Sequence, residues 1–130
     1  MNYYLNPAEE PTNQAPADPW KLIRKMGDMI NPSPAQTFVF VDEREDSIDD
    51  CVFGVDMFNG PASLAGVPRN AHSGRGTLSF ADGHAELHKW LDPRTEPPIV
   101  PFEYVQVVLV PGPPNPDVLW LREHTTGPKE

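Results

Sequence analysis

Thr77-Leu78-Ser79-Phe80-Ala81-Asp82-Gly83-His84-Ala85-Glu86-Leu87-His88 decides the fold. Two strand-like runs flank Asp82-Gly83, a pair that suits a two-residue type I′ turn. Glycine takes positive φ without Cβ strain, and aspartate tolerates the left-handed region while accepting local backbone hydrogen bonds. A two-residue loop pairs Ala81 with His84, Phe80 with Ala85, Ser79 with Glu86, Leu78 with Leu87 and Thr77 with His88. Leu78, Phe80, Ala85 and Leu87 then share one face, and Thr77, Ser79, His84, Glu86 and His88 the other. Trp90 falls on the polar face by parity, and a C-terminal helix carrying Trp120 and Leu121 is expected to cover it.

Working outward, Thr37-Phe38-Val39-Phe40-Val41 is a continuous β-branched and aromatic run, expected as a strand buried on both faces. Val52–Met57 and Val105–Val110 read as further strands, with loop over 58–71. Residues 7–19, punctuated by Pro7, Pro11, Pro16 and Pro19, read as a surface loop. Leu22, Ile23, Met26, Met29 and Ile30 fit either a short helix after Asp18-Pro19 or an extended segment, stopped at Asn31-Pro32-Ser33-Pro34. Asp117 is placed to cap a short helix over Val118–His124, and residues 125–130 read as a flexible tail. The pattern is that of a single α+β domain over 1–130: an antiparallel β-sheet, long loops and a short C-terminal helix.

Composition narrows the function. A formal charge of −9 disfavours nucleic acid and anionic membrane surfaces as partners. With 17 prolines and 9 glycines in 130 residues, a helix bundle is ruled against. No stretch approaches the roughly 20 apolar residues that span a bilayer. Cys51 is the one cysteine, so no intramolecular disulfide forms.

Candidate chemistry is sparse. Asp42, Glu43, Glu45, Asp46, Asp49 and Asp50 crowd one loop, and hard oxygen ligands of this kind suit calcium, though the spacing is not that of an EF-hand. The commoner fate of such a run is a solvated loop. His84 and His88 have a zinc-like spacing for a helix, but in a strand four residues span about 13 Å, too far to share one ion. Ser73, His72 and Asp82 are residue types of a hydrolase without its motif, so no enzyme is expected. Trp20, Trp90 and Trp120, with Tyr3, Tyr4 and Tyr104, offer ring surface for a glycan or peptide, and His84 and His88 flank Trp90 on the same reading. The plainer use of these rings is to fill a small core.

His72-Ser73-Gly74-Arg75-Gly76-Thr77-Leu78-Ser79-Phe80-Ala81-Asp82-Gly83 is a histidine, nine residues, then Asp-Gly. Before it stand Asn31-Pro32-Ser33, Phe38-Val39-Phe40-Val41-Asp42-Glu43 and Ser47-Ile48-Asp49-Asp50, and after it His88-Lys89-Trp90 and Asp92-Pro93-Arg94-Thr95. This ordered set, over roughly residues 1–126, resembles the processing-associated His-x9-Asp-Gly domain of bacterial pilin-like proteins, which are similar to type II secretion pseudopilins. The resemblance implies a pilin-like globular head working without catalysis in a type II secretion or type IV pilus-like filament, in contact with other pilin-like subunits and secreted cargo. It implies a cell-envelope location, periplasmic or extracellular, for a parent anchored in the inner membrane by an apolar N-terminal helix. Met1-Asn2-Tyr3-Tyr4-Leu5-Asn6 reads like the interior of such a head, so a longer parent with the helix upstream is expected.

In the family His72, Asp82 and Gly83 mark a motif, not a catalytic set. The residues themselves read as structural: Asp82-Gly83 as the turn, His72 as a group that hydrogen-bonds back to the hairpin or to Asp82. The related pseudopilins hold calcium by loop carboxylates, which directs the calcium reading to Asp42, Glu43, Asp46, Asp49 and Asp50. An extracellular ligand-binding module for glycan or calcium is the alternative, and a small hydrolase the third. The kinship is staked on the ribbon: should Leu78 and Leu87 lie on opposite faces, the kinship with pilins is to be dropped.

Overall fold

The computed structural model describes residues 1–5, 19–57 and 62–129. The surface loop expected over 7–19 lies, apart from Pro19, outside them. Six strands follow in chain order: β1 Phe38–Val41, β2 Gly54–Val55, β3 Ala62–Ala65, β4 Arg75–Phe80, β5 Ala85–Lys89 and β6 Val107–Val110. They form two three-stranded antiparallel sheets of order β1-β4-β5 and β2-β3-β6, and one helix, α1 Pro116–Glu123, comes last. The α+β class and its antiparallel sheets are as the sequence predicts.

The core lies between the two sheets and α1. Phe38, Leu78, Phe80 and Trp90 enter it from the first sheet, Val55, Leu64, Val108 and Val110 from the second, and Val118 and Leu121 from the helix. Phe38, Leu64, Leu78 and Leu121 are fully excluded from water. Each such side chain stabilises the fold by about 1.5–3 kcal/mol relative to exposure.

The hairpin forms, but one residue out of the expected register. Ser79 pairs with Ala85, Leu78 with Glu86, Thr77 with Leu87 and Gly76 with His88. The cause is the turn. Gly83 N–H donates to Phe80 O at 3.0 Å, and Phe80 N–H donates to His84 O at 2.9 Å, so Ala81, Asp82 and Gly83 together make a three-residue loop. Gly83, at φ 96°, takes the left-handed position that follows a type I turn in such loops. The extra loop residue flips β5 relative to β4. Leu78 is fully buried, whereas Leu87 is 54% exposed on the opposite face. Glu86 and the histidines take the places predicted for Ala85 and Leu87 (alongside Leu78 and Phe80).

Other departures have equally local causes. β1 is an edge strand, and its burial on both faces is not realised: Phe38 is buried but Phe40 is 57% exposed, the register shifting between them. The loop expected over 58–71 contains β3, whose partners β2 and β6 supply the pairing that its small side chains do not advertise. Residues 20–30 are mostly extended, with one 3₁₀ turn at Met26–Asp28. The cap of α1 is Asn115, not Asp117, because Asn115 Oδ1 accepts from Asp117 N–H at 2.8 Å and Val118 N–H at 3.2 Å. Residues 125–129 are not a free tail. Thr125 and Thr126 are buried, their hydroxyls donating to Leu121 O and Lys21 O at 2.6 Å each, and Lys129 N–H donates to Pro19 O.

Candidate functional site

The fold brings three of the four histidines to one place. His84, Glu86 and His88 share a face with Leu78 and Phe80: His88 is half-buried against Trp120 of α1, whereas His84 and Glu86 stay exposed. His84 stacks on Phe80, centroids 4.5 Å apart and planes at 4°. Phe80 meets His124 edge-on at 6.2 Å. His124 stacks on Trp120 at 4.0 Å, Trp120 on His88 at 3.7 Å, and His88 meets Trp90 at 4.8 Å. A continuous run of rings therefore seams the hairpin to the helix.

Trp90 sits at the closed end of this run. It is 7% exposed, and its indole N–H donates to Arg69 O at 2.9 Å. The ring lies over Gly76, where a Cβ would stand 2.5 Å from Arg69 O and 2.9 Å from Trp90 Nε1. This is the covered position expected for Trp90, whose ring packs internally while the residue still lines a shallow pocket with Asn70, Leu91 and Glu96. Beyond it, Asp117 ties the strand end to the helix. Its buried carboxylate accepts from Leu91 N–H at 2.9 Å, from Asp92 N–H at 2.9 Å and from the Thr95 hydroxyl at 2.7 Å.

Electrostatics at the seam follow burial. The His88 ring is pushed below the ordinary histidine value, chiefly by loss of water, while Asp117 and Glu86 pull the other way. Its Nε2 is buried without a hydrogen-bond partner, consistent with a neutral ring. At the open end Asp82 is held below the usual carboxylate range by His84, whose Nδ1 lies 2.5 Å from Oδ1 and whose N–H donates to the same oxygen.

His72 stands apart. It is exposed, its N–H reaches Arg75 O at 3.4 Å, and no hydrogen bond joins it to Asp82 among the described residues. Ser73 is exposed at φ 55°, with no base aligned on it. The motif is thus a pair of turns at the two ends of β4, not a meeting of His72 with Asp82.

The acidic loop disperses its carboxylates. Asp46 forms a two-pronged pair with the buried Arg44, at 2.6 and 2.8 Å, and this hydrogen bonding lowers its pKa. Glu43 accepts from the Ser47 hydroxyl, and burial pushes its carboxyl up. Asp50 caps Val52 N–H, and Asp49 accepts from Gln106. Asp42 is exposed. Among the described residues no group of three or more histidine, cysteine or carboxylate side chains is placed to hold a metal.

A surface cavity of about 530 Å³ opens on the far side of α1, between Trp20, Asn31, Gln36, Arg122, Glu123 and His124. Of the residues that the sequence offers for a ligand, Trp20 lines it, and Trp90, His84 and His88 do not. The rest of the cavity had no sequence signal, since its walls come from segments about 90 residues apart.

Among the described residues no helix is long and apolar enough to cross a membrane. A scan against protein-family models and searches of the curated proteins and of the solved structures find no match.

Proposed function

We propose that this chain is the non-catalytic head of a pilin-like subunit, displayed at the cell envelope on a type II secretion or type IV pilus-like filament. Its work is to present surface to neighbouring heads and to secreted cargo. The shared face that the sequence predicts for Leu78 and Leu87 is not formed, and by the criterion set for the kinship this counts against the reading. What supports it is the use the fold makes of the His72–Gly83 segment. Both turns and the strand between them are scaffold: Asp82 serves its own loop, and Gly76 admits the Trp90 ring. A motif of this kind fixes a head's shape and leaves its chemistry to whatever the surface meets.

Reading the gene upstream of Met1 tests the proposal. A basic leader followed by about 20 apolar residues is expected. An in-frame stop codon with no such stretch would remove it.

A second reading, an extracellular ligand-binding module, has one observation in its favour. The cavity between Trp20 and α1 joins an aromatic wall to amide, guanidinium and carboxylate groups, the mixture that holds sugars and peptides. Glycan or peptide titration followed by tryptophan fluorescence tests it, and an unchanged spectrum with every ligand tried counts against it. Calcium remains the cation proposed for this head, with Asp42, Glu43, Asp46, Asp49 and Asp50 the carboxylates concerned. A chelator that leaves the melting temperature unchanged disposes of that part.

A further inference from the structure

Among the described residues, strand β5 is an open sheet edge. Its sheet has the order β1-β4-β5, so of these residues only β4 pairs with it. Phe80 N–H donates to His84 O and Trp90 N–H to Gly74 O, which sets the hydrogen-bonding phase of the pair. In an antiparallel ladder the phase alternates, so His84, Glu86, His88 and Trp90 turn their backbone groups toward β4. Ala85, Leu87 and Lys89 turn theirs outward, and all three residues are exposed.

The edge carries two charges, Glu86 and Lys89, but lacks the other usual defences. β5 has no proline, its register with β4 is regular with no bulge, and a 54% exposed leucine stands at its centre. Phe40, 57% exposed, lies on the same outer face two strands away.

We propose that β5 is the docking edge for a second copy of this chain, the two β5 strands pairing antiparallel about a two-fold axis at Leu87. This centre is selected twice over. The outward-facing backbone groups belong to Ala85, Leu87 and Lys89, so these residues must oppose one another across the two-fold axis, which an axis at any residue of β5 allows. An axis at Leu87 alone overlaps all five residues, matching Leu87 with itself and Ala85 with Lys89 in pairs that exchange about six hydrogen bonds. Glu86 then faces His88 of the other copy and not a second carboxylate. Moving the axis by one residue keeps the backbone in phase but sets Glu86 against Glu86 or His88 against His88 and shortens the overlap. The small Ala85 leaves room for the Lys89 side chain, and the two leucines cover each other. The product is one six-stranded sheet. The pairing rests on strand geometry and is independent of the filament reading.

Sedimentation of the full 130-residue chain over a wide concentration range tests the proposal. A monomer–dimer equilibrium is expected. Leu87→Lys sets two ammonium groups at the axis, and Leu87→Pro removes an N–H that points away from β4. Each is expected to weaken dimerisation at least about tenfold, or about 1.4 kcal/mol. Should Leu87→Pro fail to fold, Leu87→Lys and amide exchange on the unmodified chain decide: the Ala85, Leu87 and Lys89 amides slow as concentration rises. A chain that stays monomeric, a dimer indifferent to Leu87→Lys, or an open-ended oligomer each overturns the proposal.

Discussion

The ring of His88 lies 3.7 Å from that of Trp120, centroid to centroid, with the planes 23° apart, and this stack fastens β5 to α1. His124, one helical turn from Trp120, closes the other side of the indole at 4.0 Å, and its Nδ1–H donates to Trp120 O, 2.7 Å away. The helix is therefore held to the hairpin by one ring gripped between two imidazoles.

Trp120→Ala should remove that grip. A loss of about 3 kcal/mol is expected, the low end for truncating a packed aromatic, since Trp120 is only half-buried. Urea denaturation followed by circular dichroism measures it. Leu119→Ala, on the exposed side of the same helix, should change stability by less than about 0.5 kcal/mol.

Acid should loosen the seam. The folded His88 ring binds a proton only below its ordinary value of about 6.5, whereas the unfolded chain binds one near it. The unfolded state thus holds more protons in that window, so the stability His88 contributes is full above about pH 6.5 and is lost as pH falls through the folded value. Glu43 and Glu96, raised chiefly by burial, have the opposite sign: their contribution is present at low pH and is lost as pH rises through their folded values. The difference between the unmodified chain and His88→Phe isolates the histidine. Chemical denaturation at intervals from pH 7 to pH 5 should show the unmodified chain losing stability relative to the variant.

Much of this was legible in the sequence, and what was not has a single kind of cause. Strands β1, β4, β5 and β6, the short C-terminal helix and the cover over Trp90 follow from residue pattern and turn chemistry. The register does not, because Asp-Gly serves both a two-residue turn and the end of a three-residue one, and only the pairing of Phe80 with His84 tells them apart. That one residue decides whether His88 meets water or Trp120 of α1. β3 escaped notice because Ala62, Ser63 and Ala65 carry no strand signal of their own. Asp117 looked like a cap, but its partners Leu91 and Asp92 are 25 to 26 residues away and are supplied only by the fold.

Asn2 should tolerate nothing. It is fully buried, its Nδ2 donates to Phe38 O and Thr125 O at 2.9 Å each, and its Oδ1 accepts from Tyr4 N–H at 3.1 Å. Asn2→Ala leaves these groups unpaired at about 1–3 kcal/mol apiece. Asn2→Asp should be worse, for it buries a charge against two carbonyl oxygens. Thermal melts of the two variants should rank them in that order.

Asp117→Ala should free the Leu91 and Asp92 N–H groups and the Thr95 hydroxyl together. A loss of about 3 kcal/mol is expected from stranding donors to a charged acceptor. Amide exchange should show Leu91 and Asp92 opening first, ahead of β4.

The filament reading is met most directly by the intact mass of the native protein recovered from its own cells. The account predicts an envelope-bound species heavier than 14.5 kDa, whose first residue lies upstream of Met1 and opens an apolar segment. A freely soluble 14.5 kDa protein beginning at Met1 would contradict it.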